Sequence, residues 1–162
     1  MTDLKAQQRK LYSSISIPVQ FLLIIWAVQL VQVLMGMDFG YLGLLPRTVD
    51  GLKGIVLAPL IHADFPHLIS NSVPLFVLSA ILLFFYRNIA IKSFFMIYLL
   101  TGISVWLFAR GSIFHIGASG VVYGLVSFVF WTGIFRRSLK VIIMALIWTR
   151  WFSGMFLGLL PN

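Results

Sequence analysis

The sequence predicts an all-α protein, a polytopic transmembrane helix bundle. Three observations lead there. Hydrophobic residues make up 60% of the 162 and charged residues only 10%, with no glutamate at all, so an ordinary solvated shell cannot be assembled from this chain. The apolar residues fall into runs long enough to cross a hydrocarbon layer of roughly 30 Å, which takes about 20 helical residues. The basic residues stand mostly between those runs, which is how topology signals are placed.

The first run, about 17–37, is interrupted by Gln20, Gln29 and Gln32 and preceded by Lys5, Arg9 and Lys10. It reads as a spanning helix with a cytoplasmic start; the polar N-terminus shows no cleavable targeting pattern. A loop with Asp38, Arg47, Asp50, Lys53 and, as turn signals, Gly40, Gly43, Pro46, Gly51 and Gly54 follows, and its semi-apolar stretch GLLPRTVDGLKGIVLAPLIHADF is expected in the membrane interface. The second span is read at about 66–86, the third at 93–109, the fourth at 117–135 and the fifth at 141–160. With the N-terminus inside, Lys5, Arg9, Lys10, Arg87, Lys92, Arg136, Arg137 and Lys140 are cytoplasmic, against Arg47, Lys53 and Arg110 outside. Arg150 lies midway along the fifth run, beside Trp148 and Trp151, where it either serves a function or merely snorkels or marks a shifted span.

The formal net charge of +8 is accounted for by this topology, so no nucleic-acid partner is expected. The absence of cysteine excludes disulfides and thiolate chemistry. No HExxH zinc motif and no intramembrane aspartate pair are found, and neither internal repeats nor paired intramembrane charges support a transporter.

Polar groups inside apolar runs are costly, so their clustering is informative. His67 and Asn71, four apart at the outer start of the second span, share a helix face, with His62 in the loop before them. Asp64 and Pro66 suit the start of that helix. A plain reading has His67 and Asn71 bonding to neighbouring helices. The second cluster is HIGASG: Ser119 falls in the first turn of the fourth span, where unpaired N–H groups favour developing negative charge. Its plain reading is a helix cap. Gly117 and Gly120 would let a substrate backbone approach, and Gly120 with Gly124 forms a small-xxx-small pair that brings a neighbouring helix close. Both clusters lie at the outer ends of their spans, and together they offer a serine nucleophile with three oxyanion donors: the Ser119 N–H, His67 and Asn71.

HADFPHLISN and GASGVVYG resemble the two signature stretches of the rhomboid family of intramembrane serine proteases. The resemblance covers the chain. It implies Ser119 as nucleophile, an oxyanion site of His67, Asn71 and Ser119, and supporting roles for His62, Gly117, Gly120, Gly124 and Tyr123, the last stacking on the catalytic histidine. FSGMFLGLLP resembles the family's gating helix, with Phe152, Met155 and Phe156 at the lateral substrate opening. The first loop has LLPRT instead of the Trp-Arg pair of many bacterial members, which suggests a small-loop subgroup.

The family's general base is a histidine on a sixth span, whereas this sequence ends at LLPN after the fifth. A single rhomboid-like domain over 1–162, incomplete at its C-terminus, is therefore expected, with Gly120 and Gly124 facing a missing neighbour. Without that base the chain as it stands is expected to be inert or nearly so; His115, four before Ser119 but in the preceding loop, is the lesser candidate to replace it. The expected activity is endoproteolysis of transmembrane helices by a Ser/His dyad in the plasma (inner) membrane, with no cofactor and no metal. The alternative is a non-catalytic rhomboid-like protein that binds client transmembrane helices.

Overall fold

A computed structural model describes residues 2–137 and 139–157, together with their side chains except those of residues 2, 3, 10, 140, 148 and 151–157. Five long helices and one short one carry the fold: α1 (Thr2–Met35), α2 (Gly54–Leu57), α3 (Phe65–Phe85), α4 (Arg87–Phe108), α5 (Ser119–Phe135) and α6 (Leu139–Leu157). Among the described residues there is no strand, only an isolated antiparallel bridge between Leu44 and His115. Three helices, α1, α3 and α4, are long and apolar enough to cross a membrane; α5 is a shorter apolar helix of 17 residues, about 25 Å long.

The helix starts follow local chemistry. Asp64 holds an extended N-cap conformation and its side chain accepts from the His67 N–H at 2.7 Å, with Pro66 in the first turn where its missing N–H costs nothing. α1 begins far ahead of its apolar run, because the polar residues from Thr2 onward continue the helix. α4 follows α3 with only Tyr86 between them; the Tyr86 ring packs edge-on against Phe128 and lies under the Arg136 guanidinium, 4.8 Å from ring centroid to Cζ.

The interior is one cluster in which Leu68, Leu75, Leu78 and Leu82 of α3 meet Ile25 of α1 and Val121, Val122, Leu125 and Val129 of α5. Outward faces are strongly apolar: Leu34, Phe108 and Phe135 are 82%, 83% and 80% exposed. Such surfaces suit lipid, not water. In lipid, apolar burial gives no drive for helix association, so close packing and inter-helix hydrogen bonds carry it. Trp26 Nε1 donating to Ser72 Oγ at 3.0 Å, between α1 and α3, is one such bond.

Gly124 illustrates the close packing: a Cβ there would lie 2.4 Å from Ile97 Cγ2 and 2.9 Å from Thr101 Cγ2, both on α4. The face of Gly120 and Gly124 is therefore covered by α4, and the expectation that it faces a missing neighbour is corrected. Small residues admit whichever helix packs there, and here that helix is the preceding one.

The loop between α1 and α3 folds back over the outer end of the bundle. Leu44 and His115 exchange both backbone hydrogen bonds, at 2.9 and 2.8 Å. The Arg47 guanidinium donates to the carbonyls of Leu107 and Ala109 at the end of α4, and Trp106 Nε1 donates to the Thr48 carbonyl. Loop and helix end thus satisfy each other's exposed backbone groups.

Candidate active site

The starts of α3 and α5 lie at one end of the bundle, and the loop residue His62 joins them. His62 is 1% exposed. Its Nε2 accepts from the Ala118 N–H at a long 3.4 Å, and its ring meets the His67 ring edge-on, 5.1 Å between centroids. Burial, reinforced by the neighbouring His67, pushes the His62 imidazole down to about 4, while Asp64 opposes the shift. A neutral ring accepting at Nε2 carries its proton on Nδ1.

Gly117 has φ +104°, a conformation L residues rarely adopt, and a Cβ there would sit 2.7 Å from both Cε1 and Nε2 of His67. The imidazole of His67 lies where a side chain at Gly117 would start. Its glycine lets His67 lie against the chain two residues before Ser119. The Gly117 N–H donates to the Ala58 carbonyl at 2.8 Å.

Ser119 is the first helical residue of α5. The N-cap is Ala118, fully buried and unable to cap through its side chain. No hydrogen bond of the Ser119 hydroxyl is found among the described residues, so the serine is not a helix cap. Since the N–H groups of Gly117 and Ala118 are engaged, that of Ser119 is the first to point out of the helix without an intrahelical acceptor. Ser119 and Gly120 line a cavity of about 70 Å³ walled by Thr101 and Gly102 of α4 and by Leu44 and Pro59 of the loop. Gly120 itself is not crowded: a Cβ there would meet nothing nearer than Thr101 Cβ at 3.7 Å.

Asn71 is buried, one turn below His67, and its Nδ2 donates to the His67 carbonyl at 3.0 Å. One Nδ2 hydrogen remains to be directed elsewhere, because the amide carries two. Among the described residues, neither the His67 nor the Asn71 side chain bonds to a neighbouring helix, which the plain reading expected. Tyr123 is half-buried one turn after Ser119. His115 also lines the cavity, but its Nε2 lies 3.1 Å from the Arg110 carbonyl and its backbone is held by Leu44. Phe152, Met155 and Phe156, expected at a lateral substrate opening, lie outside the described residues as far as their side chains are concerned. Arg150 lies on an exposed face of α6 with Ile143, Leu146 and Ile147.

Sequence reasoning passed over Gln32 of α1. It is 7% exposed, its Nε2 donates to the His62 carbonyl at 3.1 Å and to Gln29 Oε1 at 3.0 Å, and its Oε1 accepts from the Phe39 N–H at 2.9 Å. The available signal was a polar residue inside an apolar run.

An apolar helical bundle with a serine at a helix N-terminus beside two histidines and an asparagine defines an integral membrane protein with a serine-centred site. The family model for the Rhomboid domain matches residues 50–162, and the chain belongs to the rhomboid family. It is 32% identical over 146 residues to uncharacterized proteins of Mycobacterium tuberculosis and Mycobacterium bovis, covering 87% of this chain and 61% of each relative. It is 30% identical over 147 residues to an uncharacterized protein of Mycobacterium leprae, covering 87% of this chain and 58% of that relative. The chain thus spans about three-fifths of the length of these relatives. No solved structure gives a significant match.

Proposed function

We propose that this protein is the greater part of an intramembrane serine endopeptidase that cleaves transmembrane helices of other membrane proteins. The observation that carries the reading is the start of α5, which has no side-chain cap, where the Ser119 hydroxyl has no hydrogen-bond partner among the described residues and His67 is packed against Gly117. Ser119 Oγ attacks a substrate carbonyl, and the developing oxyanion is met by the Ser119 N–H, the spare Asn71 N–H and the His67 ring. The general base is a histidine from a further span, which the greater length of the relatives leaves room for. The substrate helix unwinds near the outer boundary, because extended backbone is tolerated at membrane depth only where it lines a polar cavity. The N-terminus faces the cytoplasm and the membrane is the plasma membrane, in keeping with the basic residues at that end.

The test is cleavage of a single-span model substrate by the complete protein in liposomes, with Ser119→Ala as control. Loss of product in the variant is expected. Equal cleavage by both forms would remove Ser119 as nucleophile, and client binding without cleavage in either form would favour the non-catalytic reading.

A further inference from the structure

We propose that Gln32 is a positioning residue, whose amide fixes His62 and through it the start of the Ser119 helix. The inference rests on the proteolytic reading of the site. The outer end of α1 is wired to the site by a continuous set of bonds. Gln29 Oε1 accepts from Gln32 Nε2, which also donates to the His62 carbonyl. Gln32 Oε1 accepts from the Phe39 N–H, so the same amide holds both ends of the loop between α1 and α3. The backbone of His62 is therefore pinned from α1, while its imidazole reaches the Ala118 N–H and the edge of His67.

The chemistry explains why this must be an amide. The His62 carbonyl needs a donor and the Phe39 N–H needs an acceptor; Gln supplies both from one planar group, and no apolar residue of the same length supplies either. Both Gln29 and Gln32 are buried, at 3% and 7% exposure, where leaving a polar group unpaired is costly, so losing one bond of the network strains the rest. Pinning matters because the His62 bond to Ala118 is long, and a small backbone shift at residue 62 would break it. A misplacement of about 1 Å in a catalytic arrangement can lower turnover by about 10²-fold.

The experiment compares wild type, Gln32→Met and Gln29→Met in the complete protein reconstituted in liposomes, with Ser119→Ala as the activity control. Two quantities are read: kcat and KM for the model substrate, and the titration of the His62 imidazole by nitrogen NMR in detergent micelles. Gln32→Met is expected to lower kcat by about 10²-fold with little change in KM, and to move the His62 midpoint up from about 4 toward its ordinary value as the ring loosens and hydrates. Gln29→Met leaves the bond to the His62 carbonyl in place and is expected to change both far less. An unchanged His62 titration in Gln32→Met, or equal effects of the two variants, would overturn the proposal. Should Gln32→Met fail to accumulate folded, Gln32→Glu keeps the length and the acceptor, loses the donor when ionised, and is read in the same way. If wild type and Ser119→Ala cleave alike, the proteolytic reading falls, and the His62 titration alone decides whether Gln32 positions that ring.

Discussion

Replacing Gly117 by alanine tests how the two clusters meet. Two costs add. A non-glycine residue at φ +104°, well away from the left-handed helical minimum, carries roughly 1–3 kcal/mol of backbone strain. The new Cβ also lies 2.7 Å from two ring atoms of His67, and that ring is stopped on one side by His62 at 5.1 Å; forcing an extra carbon into such packing costs roughly 1–3 kcal/mol. The expected destabilisation is therefore about 2–6 kcal/mol. Gly120→Ala is the internal control, since its Cβ would meet nothing nearer than 3.7 Å, and a helical Gly→Ala change gains up to about 1 kcal/mol. The assay is denaturant titration of the complete protein in detergent micelles. If Gly117→Ala unfolds at the wild-type midpoint, or Gly120→Ala is equally destabilised, the proposed contact between His67 and the Gly117 backbone is wrong.

The contact of α5 with α4 is tested by Gly124→Ala, expected to cost about 1–3 kcal/mol by crowding Ile97. The double variant with Ile97→Ala should cost less than the sum of the two single changes, by about 1 kcal/mol in a double-mutant cycle. His62 makes stability depend on pH. Its folded pKa, about 4, lies below the unfolded value of about 6.5. The unfolded state therefore binds more protons in between, and the contribution is fully present above pH 6.5 and lost as pH falls toward 4. At pH 5 the loss is about 2 kcal/mol, and His62→Gln should flatten that part of the profile. Asp64→Ala removes the N-cap of α3 and should cost about 1 kcal/mol in the same titration, with Asp64→Asn costing less.

Much of this molecule is written in local chemistry. The start of α3 follows from Asp64 and Pro66, and the shared face of His67 and Asn71 follows from their spacing of four. The membrane class follows from composition. Other features depend on contacts between distant segments, which no spacing rule contains. His62 is legible as a histidine near a helix start, but its partner is a backbone N–H at residue 118, and any residue there except proline offers one. Gly117 is legible as a glycine beside a nucleophile, yet whether it admits substrate or an imidazole depends on where α3 lies. The Gly120 and Gly124 pair signals a close helix without saying which one. Gln32 stands out only as an interruption of an apolar run, indistinguishable in sequence from Gln20, which is exposed.

The start of α5 joins these observations. A conventional N-cap would place Ser, Thr, Asp or Asn before the helix, and its side-chain oxygen would take one of the free N–H groups of the first turn. Here the cap is Ala118, which can take none. The two N–H groups just before that turn are held from outside the helix: Ala58 accepts from the Gly117 N–H and His62 accepts from the Ala118 N–H. Both acceptors come from the loop before α3, which Leu44, Arg47 and Gln32 hold to the rest of the bundle. The donors just before Ser119 are thus satisfied, while those beginning at Ser119 stay available for charge that develops at its hydroxyl. An ordinary cap would engage the N–H of Gly120 or Val121, whereas Ala118 leaves the first-turn donors from Ser119 to Val121 open beside the nucleophile, and the loop before α3 holds the chain just ahead of them.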